Sequence, residues 1–439
     1  MNSRHGPLRT DLSRRTLLRG AAAGGLALAA GLLTGCATTR RSLPAAAAGV
    51  TDNNWKVIDQ FYTLSNAYFQ GWANGSAQAA AQLALHREQQ VDNMSNDKVI
   101  SVFQQARASN TRAMTSIVAD PGITPQVLRA NAEAGIPTSV AWNLAPWTTP
   151  FDVGGTFYQF LAGNNPVGAE RLAGLLFEKM GGTGKLIHIS GIPGNSASTT
   201  RDVGVDAALA RYPGITLVAR QPGGFDRGTT TPVIESLLTA HPDVAGIFCQ
   251  NDDSALAVVN ALRSRNKSVP VVGIDAIPEF LEAMQSVPEI AFATWAHHGA
   301  WMGGALMVRA YDALSGVKLS PAERMMFTGG FVLDTPAAAD GYNTLMYKGD
   351  TLPYDFSLMS KALHPNDWDP QTTMKPLEFE SYFSLEKPKP AGYTVDPAYA
   401  AARDGDEFAR VEAEYKDHFR KDPFADIRRQ CAAGGVDFA

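Results

Sequence analysis

Apolar and polar positions alternate along this chain in two rhythms. Short apolar, β-rich runs at 57–63, 85–91, 113–119 and 137–142 are separated by segments at 67–84, 96–108 and 124–134, where apolar residues recur at about 3.6 spacing. After 151–155 the pattern restarts, with a strand-like run at 157–162 and a helical one at 166–180. Further strand-like runs follow at 185–190, 215–220, 244–249, 269–274 and 290–295, with helical segments between most of them. Repeated β-α order predicts parallel, doubly wound sheets with right-handed crossovers, covered by helices on both faces.

The clearest unit lies between 221 and 279. The runs at 244–249 and 269–274 flank a helical segment at 253–265, whose Leu256, Val259, Ala261 and Leu262 form an apolar stripe. Polar residues stand just past both strand ends: Asn251, Asp252 and Asp253 after one, Asp275 after the other. Ligands of open α/β sheets bind at the carboxyl ends of strands. Asn251 and Asp275 are therefore placed to hold a ligand, one with amide donors and an acceptor, the other with a pair of acceptors. Two plainer roles stand beside these: Asp253 as a helix N-cap and Asp275 as a turn residue ahead of Pro278.

A chain of 439 residues is long enough for two lobes of ordinary domain size and an additional segment. The net charge is −5; residues 1–36 carry +4, so the remainder carries −9. An acidic body excludes the basic face that a nucleic-acid partner requires. Residues 1–36 read as a leader: Ser13-Arg14-Arg15-Thr16-Leu17-Leu18 is a twin-arginine (Tat) motif, and an apolar Ala/Gly/Leu stretch follows it. Leu33-Thr34-Gly35-Cys36 is similar to a bacterial lipobox, with Cys36 as the lipid-bearing residue. Residues 37–54 then read as a small-residue linker between membrane and body. Of the other two cysteines, Cys249 lies in an apolar strand run; a buried thiol and a disulfide to Cys431 both fit. No Cys/His spacing suggests a metal, and no cofactor is expected. Neither 181–185 nor 191–196 has phosphate-loop or dinucleotide spacing, and no nucleophile elbow occurs.

The segments QPGGFDR, LLTAHPDV, FCQNDDSALA, VVGIDAIPE and ATWAHHGAWMG occur in this order. Together they resemble the type I periplasmic sugar-binding proteins, the ribose-binding group, from about residue 57 to 330. The resemblance implies an α/β fold of two doubly wound parallel-sheet lobes joined by a hinge. It assigns 55–156 and about 298–327 to the N-terminal lobe, and 157–297 and about 328–341 to the C-terminal lobe. Residues 342–439 are left as a C-terminal extension, within which 400–420 reads as one amphipathic helix.

The resemblance also implies a ligand site. Asn66, Tyr68 and Phe69 match the family's first-strand loop, although both aromatic residues also fit the apolar face of the next helix. Arg201, Phe225, Asn251 and Asp275 match binding positions, and His297 stands where relatives have Gln. At Trp142-Asn143 the chain departs from the Asp-Arg pair common in sugar-binding relatives. Replacing two charges by an indole and an amide points to a neutral sugar or polyol other than ribose. The implied function is a Tat-exported, membrane-anchored, monomeric lipoprotein that delivers solute to an ABC permease and breaks no bond. A solute sensor docking on a signalling receptor, and an enzyme using the C-terminal extension, are the alternatives.

Overall fold

The alternating pattern folds as two separate sheets. The structure, a computed structural model, describes residues 42–435; the twin-arginine motif and Cys36 lie outside them. Among the described residues the first sheet has seven strands, in the order Met374–Pro376, Met325–Thr328, Phe157–Gly163, Thr138–Ala141, Thr111–Ser116, Lys56–Phe61, His86–Val91. The second has six, in the order Phe331–Leu333, Ala291–Ala296, Val271–Ile274, Val244–Cys249, Gly184–Ser190, Ile215–Pro222. Pairing is parallel except for the edge strands Met374–Pro376 and Phe331–Leu333, which are antiparallel. Crossover helices cover both faces, so most inner strands are buried on both sides, whereas the edge strands His86–Val91 and Ile215–Pro222 are partly exposed.

The strand Phe157–Gly163 corrects the expected lobe boundary. It pairs with Thr138–Ala141 and therefore belongs to the first lobe, not the second. The chain crosses between lobes after it, at Asn164, again at His297-His298, and a third time at Gly329-Gly330.

The unusually polar first strand has a structural reason. Asp59 is fully buried and accepts from Trp72 Nε1 (3.1 Å), Ser76 Oγ (2.6 Å), Thr115 Oγ1 (2.9 Å) and Arg87 Nε (2.8 Å). It ties the first strand to its neighbours and to the helix Ala67–Gln82, and a buried carboxylate persists only when satisfied in this way.

Two further expectations change. Part of the 37–54 linker lies against the first lobe, where Ala47 N donates to Gln82 O (2.8 Å) and Asp52 meets His86 Nε2 at 3.0 Å. The single helix at 400–420 is instead two, Pro397–Asp404 and Glu407–His418, interrupted at Gly405. Cys249 and Cys431 are both free thiols.

Candidate functional site

The facing strand ends of the two lobes enclose a cavity with about 420 Å³ of atom-free space, counting its mouth. The first lobe contributes Asn66, the N-cap of the helix Ala67–Gln82, Tyr68 and Phe69 from that helix's first turn, and Trp142 and Asn143 from the end of Thr138–Ala141. The second lobe contributes Arg201 from the helix Ser196–Arg211, Phe225, Asn251 and Asp275. Nine of the ten residues expected at the site thus line one cavity.

The tenth does not. His297 lies at a hinge crossing, its ring centroid 4.5 Å from that of Trp142 and 3.7 Å from that of Trp295. Gly163 makes room for it: a Cβ there would stand 2.1 Å from His297 Cε1. Burial and the nearby Arg201 charge hold the imidazole neutral, and its buried Nε2 has no hydrogen-bond partner among the described residues. His297 supports Trp142 from behind.

Local backbone conformation presents the site. Trp142 (φ 67°), Phe225 (φ 58°) and Asp275 (φ 116°) all have positive φ, which costs non-glycine residues about 1–3 kcal/mol each. The bends turn these side chains off the strand ends. Trp142 Nε1 donates to Tyr68 OH (2.8 Å), which fixes the indole. Phe225 packs over Gly191, where a Cβ would come within 2.0 Å of the ring. Asn251 caps the helix Asp252–Ser264, accepting from Ser254 N (3.1 Å) and donating to Phe225 O (3.0 Å). The N-cap is therefore Asn251 and not Asp253, whose carboxylate pairs with Arg227 (2.8 Å).

The two charged groups differ in how they are held. Arg201 is buried; its Nε donates to Asn165 Oδ1 (3.1 Å) and its Nη1 to Gln250 O (2.6 Å). The guanidinium is fixed, 5.8 Å from the Trp142 ring and 5.6 Å from the Phe225 ring, with Nη2 left without a protein partner among the described residues. The Asp275 carboxylate accepts no hydrogen bond from the described residues, although its backbone N–H is tied to Trp295 O (2.9 Å). Burial pushes its pKa well above the ordinary carboxylate range, Arg201 pulls it back, and Asp252 and Asp253 push it further up. Asp275 and Arg201 are the charged groups of the cavity lining whose hydrogen-bonding capacity the described residues leave unfilled.

Four lining residues were not anticipated: Tyr62, Ile117, Asn195 and Ala197. Tyr62 and Ile117 directly follow strands, so strand-end reasoning reaches them. Asn195 had a signal in Gly194-Asn195-Ser196 ahead of a helix: it caps Ser196–Arg211 and also bridges the lobes, its Nδ2 donating to Ala119 O (2.9 Å). With Ser196 Oγ to Leu144 O (3.2 Å) and Ala197 N to Asn143 Oδ1 (3.5 Å), this bond shows the lobes in the closed arrangement.

The pattern of the periplasmic binding protein domain matches residues 61–317. The chain belongs to the type I periplasmic sugar-binding protein family. It is 30% identical over 219 residues to the ribose import binding protein RbsB of Escherichia coli, a match covering 49% of this chain and 71% of that protein. It is 28% identical to the xylitol-binding protein of Mycolicibacterium smegmatis, over 44% of this chain and 55% of the other. A twin-arginine translocation pathway signal protein from Burkholderia phytofirmans has the same fold, with a TM-score of 0.61 and 24% identity, over 66% of this chain and 92% of that one. By family the chain is a sugar-binding protein of the ABC-importer type. The family match ends at residue 317, so the C-terminal extension lies wholly beyond it.

Proposed function

We propose that this protein captures a neutral sugar or polyol between its lobes and delivers it to an ABC permease, as a lipoprotein exported by the Tat route and anchored through Cys36. The observation that carries the solute reading is Asp275: a carboxylate in the interlobe cavity with no donor among the described residues, across from a fixed guanidinium. Vicinal hydroxyls satisfy such a carboxylate and an arginine nitrogen together, while the faces of Trp142 and Phe225 accept the C–H surface of the same molecule. With Asp275 ionised on binding, its charge offsets that of Arg201, so an anionic ligand would bring an uncompensated buried charge. Two relatives named for ribose import and xylitol binding support the neutral class.

A solute that bridges both lobes makes contacts that the open form cannot, and so favours closure. The test is a thermal-shift screen of neutral sugars, cyclitols and linear polyols against sugar acids, on wild type and Asp275→Asn. A neutral solute is expected to raise the wild-type melting temperature and to do so far less in the variant. Stabilisation by sugar acids alone would refute the neutral class. The anchor is tested by fractionating bacterial cells that express wild type or Cys36→Ala: wild type is expected with membranes and the variant in the soluble fraction, and equal solubility would refute lipidation.

A further inference from the structure

The loop that carries Asp275 is strained and has to be held. Asp275 (φ 116°) and Ala276 (φ 53°) are consecutive non-glycine residues at positive φ. Such a pair persists only where its surroundings over-determine it. Three ties come from the second lobe: Asp275 N donates to Trp295 O (2.9 Å), Ala276 N to Thr294 Oγ1 (3.2 Å) and Ile277 N to Asp252 Oδ2 (3.0 Å). A fourth comes from the C-terminal extension, where Tyr347 OH donates to Ala276 O (3.0 Å). The first three partners lie inside the family match and Tyr347 lies beyond its end.

Local structure brings Tyr347 to this loop. The helix Pro336–Asn343 packs on the helix Pro278–Ser286, which starts directly after the loop. It passes into a π-helical turn, Thr344–Lys348, a rare geometry found frequently at functional sites. Tyr347 stands in that turn. A second cavity, with about 330 Å³ of atom-free space counting its mouth, is lined there by Tyr342, Met346 and Tyr347 together with Tyr68 and Asp275. The last two also line the interlobe cavity, so the extension reaches the same residues from another side. Five residues after Tyr347 the chain is fastened to the first lobe: Leu352 N donates to Gln78 Oε1 (3.0 Å), and Gln78 Nε2 donates to Tyr354 O (2.9 Å). Gln78 belongs to the helix Ala67–Gln82, whose first turn supplies Tyr68 and Phe69 to the site. Tyr347 thus holds the Asp275 loop of one lobe from a segment fastened to the other.

We propose that Tyr347 is a positioning residue of the solute site: its hydroxyl, bonded to Ala276 O, holds Asp275 in the conformation that presents the carboxylate to the cleft. The effect on solute rests on the solute-binding reading above; the restraint on the loop does not. Without the hydroxyl the loop loses one of its four ties and a fraction of molecules leaves the presenting conformation. Apparent affinity falls with the fraction that remains competent.

The experiment compares wild type with Tyr347→Phe, which removes only the hydroxyl, and with Tyr415→Phe. The latter removes another hydroxyl of the extension, bonded to Glu323 Oε1 (3.0 Å) on the first lobe and outside the site. Hydrogen–deuterium exchange on the full chain, dialysed free of solute, reads the loop in peptides covering 275–280 and the second-lobe core in 244–249. The loop is expected to exchange at least about threefold faster in Tyr347→Phe and at the wild-type rate in Tyr415→Phe, with the core unchanged in both. Calorimetric titration with xylitol, myo-inositol and D-ribose reads binding. Whichever of the three binds wild type most tightly is expected to bind Tyr347→Phe about three- to tenfold more weakly, and Tyr415→Phe as wild type. Loop exchange at the wild-type rate in Tyr347→Phe, or faster exchange with affinity unchanged, would overturn the assignment. So would an equal loss of affinity in both variants, which a general loosening of the extension produces. If none of the three solutes binds wild type, that result counts against the solute-binding reading, and the exchange comparison alone decides whether Tyr347 holds the loop.

Discussion

Asp252 and Asp275 show how neighbouring carboxylates acquire different roles from their surroundings. Asp252 is fully buried and satisfied, accepting from Ile277 N (3.0 Å) and Thr294 Oγ1 (2.8 Å), so it braces the loop that carries Asp275. Burial nevertheless raises its pKa to about 7, from an ordinary value of 3.8. Between these values the folded protein holds a proton that the unfolded chain has lost, so stability contributed below the window disappears as pH rises through it. Wild type is therefore expected to lose stability between about pH 4 and 7, by up to about 4 kcal/mol from this group, and Asp252→Asn to lose less. Urea unfolding of both proteins across that range measures it; parallel pH profiles would contradict the assignment. At this scale the sequence was informative where a polar residue followed an apolar strand run, as with Asn251 and Asp275. It was silent on His297, because facing the cavity or backing Trp142 depends on a close approach to Gly163 from another strand.

The strands and helices of the matched region were legible because parallel, doubly covered strands leave long apolar runs between 3.6-periodic segments. Assigning Phe157–Gly163 to a lobe was not, since an apolar run carries no mark of its pairing partner. Contact between the helices Ala67–Gln82 and Gly299–Leu314 has a clear glycine signature in the structure. A Cβ on Gly75 would stand 1.8 Å from Ala300 O, and one on Gly303 2.4 Å from Trp72 O. The backbones touch, and this pair sets the angle at which Asn66 and Tyr68 enter the cleft. Gly75→Ala is expected to lower unfolding free energy by about 1–3 kcal/mol despite alanine's better helix propensity. Denaturant titration provides the check, and an unchanged or raised midpoint would mean that the helices separate at little cost. The break at Gly405 escaped the sequence reading because charged residues continue on both sides of it.

In the whole molecule, two lobes joined by three hinge crossings enclose one cavity. Residues 57–330 follow a pattern that a family resemblance could organise, and the extension had no such guide. Its fold depends on contacts with distant residues, such as Gln78, Trp147 and His298, that no local periodicity announces. The central claim is that Asp275 and Arg201 hold a neutral solute between the lobes. Its most direct test is calorimetric titration of wild type, Asp275→Asn and Arg201→Ala with the neutral solute that most stabilises the wild type. Each charged hydrogen bond lost should weaken binding by about 1.5–3 kcal/mol, roughly ten- to a hundredfold, with both variants still folded. Affinity unchanged in both would contradict the account and place the solute elsewhere.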